Sequence, residues 1–280
     1  MSSHKKSTIS AVVLTYNEEN NLKDCLQSLK WCDEIIVVDS GSTDQTQKIA
    51  EEEGAKFILH ELPFFRVLTQ RNWILENVPL AGDWILFIDA DERVPKELAV
   101  EIGKVIDEAS KEVIGFKLAP KFIFMNQWLR RTMRFPAWHE RLIRKGQVFS
   151  KPNPLTIDDL CLDDSRGIIK KIKNPYLHYG FNNGMERWFD KHNSYSTIIA
   201  RQMVKLTKND VLSGAKKVEV WMNRSLLLGP LFRLFYCLFW RGGILEGKAG
   251  ITYSFMMGFY QFMICLKVEE LRRREKGEPL

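Results

Sequence analysis

The sequence has few cysteines, and none of them are paired at short spacing. Five are scattered along the 280 residues: Cys25, Cys32, Cys161, Cys237 and Cys265. An odd number at wide spacing, without a Cys-x-x-Cys pair, argues against a disulfide framework and against a zinc site. We therefore expect reduced thiols, as in a cytosolic protein.

The chain also lacks an apolar N-terminal segment and a long uninterrupted apolar run. Its first ten residues, MSSHKKSTIS, are polar, which predicts no secretory signal. Of two apolar stretches in the last third, the first is interrupted by Pro230 and Arg233, and the second reaches Lys267 after about 16 residues. Neither is expected to reach the roughly 20 residues that cross a bilayer.

Positive charge is concentrated in the C-terminal third. The net charge is +6, and the last 80 residues carry 14 Lys and Arg against 7 Asp and Glu. These cations fall among aromatic residues rather than on a polar stripe, which favours an anionic membrane surface as a partner over nucleic acid. The apolar stretches could be buried core helices, an interfacial helix pair or a re-entrant hairpin, and the dense aromatics favour the interfacial pair.

What the first part of the chain does contain is an alternation of short β-branched runs with helical patterns. Strands are predicted at Ile9–Tyr16, Glu34–Asp39, Lys56–Leu59 and Trp84–Asp89, and helices at Glu18–Lys30, Thr43–Glu53 and Val67–Asn77. Nearly continuous apolar strands separated by helices predict an α/β fold with a largely parallel sheet covered on both faces. Ligands of such sheets bind outside the carboxyl ends of the strands.

Polar groups follow three of these strands: TYNE, DSGSTD and DAD. Any one of them could be ordinary turn and capping chemistry, but three on one edge of a sheet indicate a ligand site. Asp89 and Asp91, two apart in WILFIDADER, would share a face if the strand continued. Their repulsion then requires a counter-charge or a proton, and a divalent cation is one such counter-charge.

Together these segments resemble the nucleotide-sugar domain of family 2 glycosyltransferases. The resemblance rests on TYNE, VVDSGSTDQT, QRNWILE and FIDADERV, which occur in the family's order and approximate spacing between Ile9 and about Pro95. It implies a GT-A fold, which is a Rossmann-like α/β domain with a mixed, mostly parallel sheet, and inverting transfer from a nucleotide sugar, usually a UDP-sugar. We expect this domain at residues 1–180 and a helical, basic and aromatic membrane-interface region at 181–280.

The resemblance also implies roles for individual residues. The nucleotide-sugar pocket would be lined by Thr15, Asn17, Glu18, Asp39, Gly41, Arg71 and Asp89. Asp91 would be the direct ligand of Mn²⁺ or Mg²⁺. His178 in NPYLHYGFNN would complete the metal shell or touch the diphosphate, although a lone His between aromatics can also be a packed core residue.

An inverting transfer needs a general base, which the sequence marks only weakly. The candidates are Glu140 in the strand-like WHERLIRK, Asp158 and Asp159 in PLTIDDLCL, and Asp163 and Asp164. Glu140 is expected to be structural because it lies within a regular strand. The family usually places its acid on the segment after that strand, which favours Asp158 or Asp159.

The segment FRLFYCLFWRGGILEGKAG resembles the tail of lipopolysaccharide core β-glucosyltransferases and related exopolysaccharide enzymes. That branch implies a lipid-linked saccharide acceptor, a location at the cytoplasmic face of the inner membrane, and glucose as one possible sugar. Two alternatives have less in their favour. A haloacid-dehalogenase-like phosphatase needs Thr or Val where Arg93 stands and a later Gly-Asp-x-x-x-Asp, while a non-catalytic module at the membrane surface would not need the retained acids.

Overall fold

The computed structural model describes residues 6–61, 67–149, 162–206 and 214–279. The chain forms two compact units, one of Met1–Ile123 and Phe135–Asn183, the other of Phe124–Arg134 and Gly184–Leu280. The division predicted at residue 180 differs from this one because it leaves 124–134 in the first part. A boundary drawn along the chain does not reveal that a short segment folds with a distant one.

A central sheet organises the first unit. Its seven strands are β1 (Ile9–Thr15), β2 (Glu34–Asp39), β3 (Lys56–Leu59), β4 (Trp84–Asp89), β6 (Val113–Leu118), β9 (His139–Arg144) and β10 (Ile168–Lys171). They lie in the order β10-β6-β9-β4-β1-β2-β3, and all pairs are parallel except those that β9 makes with β4 and β6. The expected mixed, mostly parallel sheet of an α/β fold is confirmed.

The strands are apolar on both faces because helices cover both. These are α1 (Leu22–Ser28), α2 (Thr46–Glu52), α3 (Val67–Asn77) and α4 (Lys96–Asp107). Side chains alternate along a strand, so Val13 packs with the residues of α1 and α4 while its neighbour Val12 packs with Ile74 of α3. Two buried layers result, one on each side of the sheet.

Most predicted elements are observed at the predicted positions, but two helices begin later. Helix α1 starts at Leu22 rather than Glu18, because the Glu18 carbonyl accepts from the amides of Asn21 and Leu22 in a turn before the helix. Helix α2 starts at Thr46 rather than Thr43. There Asp44 accepts hydrogen bonds from the Thr46 amide and hydroxyl at 3.0 and 2.5 Å.

A small sheet lies beyond the carboxyl end of β4. Three of its four strands are β5 (Glu92–Arg93), β7 (Pro120–Phe124) and β11 (Tyr176–His178), with β11 between the other two. Strand β11 is antiparallel to β5, and the pairing sets His178 opposite Glu92. This register brings His178, which comes late in the sequence of the first unit, next to the turn that follows Asp89.

The second unit is mostly helical. Its elements are β8 (Gln127–Trp128), α5 (Gly184–Lys205), α6 (Gly214–Arg224), α7 (Leu228–Phe235) and α8 (Gly247–Lys276), with a π-helical turn at Tyr236–Trp240 and a 3₁₀ turn at Gly243–Glu246. Helix α8 packs against α5, α6 and α7. Ala200 and Met203 meet Ile264 and Val268 in its core.

The expectation that neither C-terminal apolar stretch is long enough to cross a membrane is wrong for the second. The helical segment Gly243–Lys276 has the length and an 18-residue window apolar enough for a span, by composition alone. Counting only to Lys267 missed this, because the helix continues without a break through that residue. The window is also 56% buried inside the protein, as is common for a core helix.

Candidate active site

The carboxyl ends of β1, β2 and β4 lie side by side at one edge of the central sheet. The strand register pairs Thr15 with Asp39, and Leu14 with Asp89. The polar segments that follow these strands therefore meet, as expected for parallel neighbours. All the site residues described below belong to the first unit.

Asp39 organises the loop after β2. Its Oδ1 accepts from the amides of Gly41 and Ser42 at 2.9 and 2.7 Å, and its Oδ2 accepts from the hydroxyls of Thr15 and Ser42 at 2.7 and 2.6 Å. Four donors fill the usual acceptor capacity of a carboxylate. Asp39 thus shapes the pocket edge, and its direct contact with a nucleotide stays a prediction, since a bound base would have to displace one of these donors.

Asn17 and Glu18 tie the loop after β1 to its neighbours. Asn17 has φ +54°, which asparagine tolerates better than most residues, and its Oδ1 accepts from the Thr43 amide at 2.8 Å. The Glu18 carboxylate accepts from Asn21 and Asn183 at 2.9 and 2.8 Å. The predicted pocket residues are therefore held in a cross-linked set of loops.

Asp89 forms ion pairs with two arginines. Arg71 Nη2 lies 3.1 Å from Asp89 Oδ1, and Arg141 Nη2 lies 2.8 Å from Oδ2. Burial alone would raise the pKa of Asp89, but Arg141 and Arg71 outweigh it and hold that pKa below its usual range. These arginines supply the counter-charge that the sequence required for Asp89, and a contact of Asp89 with a metal-bound water stays a prediction.

Asp91 does not share the surroundings of Asp89, which corrects the expectation that the two carboxylates point the same way. Strand β4 ends at Asp89, and Asp91 lies in the following turn. Its Oδ2 is 3.3 Å from His178 Nε2. The Tyr179 amide also donates to the Asp91 carbonyl at 2.8 Å, which fixes the turn against the end of β11.

The Asp91 and His178 pair fits the divalent cation that the resemblance implies. Two ligands at neighbouring positions of an octahedral ion, each about 2.1 Å from it, are about 3 Å apart. Gly180 leaves room beside them, since a Cβ there would come within 2.9 Å of His178 Nε2 and 3.7 Å of Asp91 Oδ2. Within the described ranges no set of three His, Cys, Asp or Glu side chains could hold a metal. This pair would therefore share the ion with a ligand and water, as Mg²⁺ and Mn²⁺ sites often do.

Comparison with known proteins identifies the family. The model described as glycosyl transferase family 2 matches residues 10–175, more than half of the sequence. The chain belongs to glycosyl transferase family 2. The match includes the loops after β1, β2 and β4 and ends just before β11, and the predicted family is confirmed.

Relatives extend the likeness over almost the full chain. An uncharacterized glycosyltransferase of Rickettsia conorii is 28% identical over 96% of this chain and 92% of its own length. The lipopolysaccharide core biosynthesis glycosyltransferase LpsC of Rhizobium meliloti is 26% identical over 98% and 96%. Among solved structures, that of S. aureus TarS residues 1–349 in complex with UDP-GlcNAc matches with a TM-score of 0.45 and 17% identity, covering 97% of this chain and 92% of that chain.

The general base of this family 2 glycosyltransferase is not located by the described residues. Asp158 and Asp159 lie outside them. Glu140 is buried, forms an ion pair with Lys117 at 3.1 Å and accepts from the Leu162 amide, as expected for a structural residue. Asp163 accepts from Ser165 and caps a short 3₁₀ turn.

Sequence reasoning missed two residues, Glu92 and Arg141, that connect the parts of the site. Glu92 accepts from the Asp89 amide at 3.0 Å and from Arg141 at 2.6 Å, and its Oε1 lies 3.6 Å from His178 Nδ1. Burial raises the pKa of Glu92 above its usual range, against the opposing effect of Arg141. The sequence did contain one signal for Arg141. It is a charged residue within the strand-like segment WHERLIRK, and a buried charge requires a partner of opposite charge.

Proposed function

We propose that this family 2 glycosyltransferase is metal-dependent and inverting, and that it moves a sugar from a UDP-sugar to a hydroxyl of a lipid-linked saccharide. The observation that carries the proposal is the Asp91 and His178 pair at the ligand-binding edge of the sheet, 3.3 Å apart. The likeness to LpsC along nearly the whole chain supports an acceptor in lipopolysaccharide or related cell-surface polysaccharide assembly.

In this proposal each residue of the site has a separate role. Asp91 Oδ2 and His178 Nε2 hold Mn²⁺ or Mg²⁺, and Glu92 orients the imidazole from its other nitrogen. The bound cation acts as a Lewis acid that stabilises the charge of the departing diphosphate. Arg71 and Arg141 keep Asp89 ionised, so that its partly exposed carboxylate can accept hydrogen bonds from ribose hydroxyls.

The nucleotide lies against the loops after β1 and β2. Thr15 and Asp39 are the last residues of these two strands, Asn17 and Glu18 lie in the loop after β1, and Gly41 lies in the loop after β2. Gly41 has φ +97°, a conformation that costs little only for glycine, and it allows the chain to turn back over the strand ends. Cross-linked loops favour binding because little conformational freedom is lost when the donor is held.

Asp158 or Asp159 takes the proton of the acceptor hydroxyl. Separate Asp158→Asn and Asp159→Asn variants test this assignment. We expect one of them to lower turnover, measured as UDP release, by about 10²–10⁴-fold while leaving the affinity for UDP unchanged. Asp163→Asn is the matched control, since that carboxylate caps a turn. Normal turnover in both test variants would contradict the assignment.

The lipid-linked acceptor places the enzyme at the cytoplasmic face of the inner membrane as a peripheral protein. The excess of cations over acids in the last 80 residues supports an anionic membrane surface as the partner.

Nucleotide binding tests the donor and the metal. Purified full-length protein is titrated calorimetrically with UDP, GDP and dTDP, each with and without Mn²⁺. We expect Mn²⁺ to tighten UDP binding in the natural protein and not in Asp91→Asn. Asp24→Asn is the control because that side chain is 72% exposed on α1. Equal binding by Asp91→Asn and the natural protein would overturn the metal site, and no nucleotide binding by folded protein would favour the non-catalytic module.

A further inference from the structure

An exposed apolar stripe runs along α7 and the π-helical turn that follows it. We define the apolar stripe as Leu227, Leu231, Phe235, Phe239 and Trp240. The first four are spaced by four residues and so lie on one helical face. Their exposed fractions include 71% for Leu227, 53% for Phe235, 60% for Phe239 and 83% for Trp240. Side chains of this size are seldom left in water together unless the surface binds something.

The charges around the apolar stripe have one sign at the surface. Residues 221–248 contain four cations, Arg224, Arg233, Arg241 and Lys248, and a single acid, Glu246. Glu246 is buried, and its carboxylate accepts from the amides of Arg131 and Thr132 at 2.6 and 3.1 Å. Arg224 donates to the carbonyls of Met203 and Leu206, and two guanidinium nitrogens of Arg241 are buried, but Arg233 is partly exposed and Lys248 is exposed. The apolar and aromatic side chains therefore lie in a segment whose accessible charge is positive, which fits an anionic bilayer interface.

The longer apolar helix, α8, is built as a core helix of the same unit. Its polar residues Ser254 and Gln261 are buried, and Gln261 Nε2 donates to Asn223 Oδ1 of α6 at 2.7 Å. Gly258 lets α7 approach closely, since a Cβ there would lie 3.2 Å from Leu234 Cβ. A helix crossing the bilayer would give up these contacts and expose polar groups to lipid.

A second copy of the chain is a less suitable occupant of the apolar stripe. A two-fold interface places the same surface of each copy against the other. It would bring the four cations of one copy close to those of its partner without acids between them, and like charges at an interface are costly.

We propose that the apolar stripe inserts into the interface of an anionic bilayer while α8 stays packed within the second unit and does not cross the membrane. The inference rests on the proposed function, because it identifies the segment that would hold the enzyme at its lipid-linked acceptor. Insertion places the aromatic rings among the headgroups, and Arg233 and Lys248 near the lipid phosphates.

Vesicle sedimentation with the purified full-length protein tests whether the apolar stripe binds an anionic bilayer. The vesicles contain phosphatidylcholine alone or phosphatidylcholine with phosphatidylglycerol. We expect binding only when phosphatidylglycerol is present, with weakening in high salt. The affinity of the double variant Phe235→Ser/Phe239→Ser for these vesicles should be lower by about tenfold or more, because two exposed rings no longer enter the interface.

Phe255→Ser is the matched control, since Phe255 is an equally exposed phenylalanine on α8, at 57%. It should bind like the natural protein. Loss of binding in Phe255→Ser with none in the double variant would overturn the proposal, as would protein that resists alkaline extraction from membranes. The proposal would also be overturned if the natural protein did not bind vesicles but formed a dimer in light scattering, and the double variant was a monomer. The apolar stripe would then bind a second copy of the chain.

The nucleotide titration separates this inference from the proposed function. If UDP binding depends on Mn²⁺ and Asp91 but vesicles do not bind, the membrane-binding proposal is wrong and the enzymatic proposal stands. If vesicles bind through the apolar stripe but UDP does not bind, the membrane-binding proposal stands without the enzymatic proposal. The double variant should retain full UDP affinity.

Discussion

Arg141 and Glu92 form a buried ion pair in which Nη2 and Oε1 are 2.6 Å apart. The same nitrogen reaches Asp89, so one guanidinium holds two carboxylates that a turn of the chain brings together. Removing it leaves the fully buried Glu92 without its arginine, and Asp89, which is partly exposed, with Arg71 alone. We expect Arg141→Met to lower the free energy of unfolding by about 3–5 kcal/mol, measured by urea denaturation.

Arg274→Met is the control for that change. Arg274 also lies 2.6 Å from a carboxylate, that of Glu270, but its side chain is 64% exposed. Its loss should change stability by no more than about 0.5 kcal/mol, since exposed ion pairs contribute little. Similar losses in both variants would show that burial of the Arg141 pair is not what makes it important.

Gly180→Ala should weaken metal-dependent UDP binding without unfolding the protein. The added Cβ would lie 2.9 Å from His178 Nε2, so the imidazole must shift from its present position beside Asp91. We expect calorimetry to show a loss of the Mn²⁺-dependent part of the UDP affinity, with the melting temperature nearly unchanged. Gly103→Ala on α4 is the control, because a Cβ there meets nothing within 4 Å. Unchanged binding in Gly180→Ala would contradict the use of His178 as a ligand.

Glu246→Ala should destabilise the second unit. Its carboxylate accepts from the Arg131 amide at 2.6 Å, the Thr132 amide at 3.1 Å and the Thr132 hydroxyl at 2.6 Å. Three donors would be left without this acceptor in a buried position, which should cost about 3–5 kcal/mol in denaturation experiments. Glu269→Ala, which breaks an exposed pair with Arg273, is expected to have little effect.

Acid should destabilise the protein partly through His192. Burial against Trp188, whose ring lies 3.7 Å away, lowers the pKa of His192 to about 4. In the unfolded chain this pKa is about 6.5, so between those values the unfolded state binds more protons and stability falls as the pH falls. We expect the melting temperature to drop between pH 7 and about 4.5.

His192→Phe should reduce that pH dependence, because the ring can still stack on Trp188 but cannot take up a proton. The variant loses the contact between Nδ1 and the Trp188 carbonyl, at 2.8 Å, so its stability at neutral pH should be slightly lower. An unchanged slope of melting temperature against pH would show that His192 does not contribute.

The strands and the edge of the sheet that carries the site were predictable from local patterns. Strands β2 and β4 have the predicted bounds because each is a continuous apolar run, and a parallel sheet between helices requires that pattern. Helix starts were less predictable. Glu18 has good helix propensity, yet it lies in a turn in which its carbonyl accepts from the Asn21 and Leu22 amides, and its carboxylate bonds to Asn183, far away in the sequence.

The pairing of charges was not predictable from local sequence. The spacing of Asp89 and Asp91 predicted two carboxylates on one face with a common need for a counter-charge, but Asp89 is paired with Arg71 and Arg141, whereas Asp91 lies beside His178. A two-residue periodicity assumes that the strand continues, and here it ends at Asp89. The turn then separates the two side chains.

By itself the sequence determined the α/β fold, the family and the segments that form the site, because apolar periodicity and short polar motifs are local properties of the chain. Only the tertiary structure decided which charges meet. Arg141 lies 52 residues from Asp89 and 49 from Glu92, and such contacts depend on strand order and register rather than on neighbouring residues. The same holds for α8, whose composition permits a membrane span and whose packing against α5, α6 and α7 buries it within the second unit.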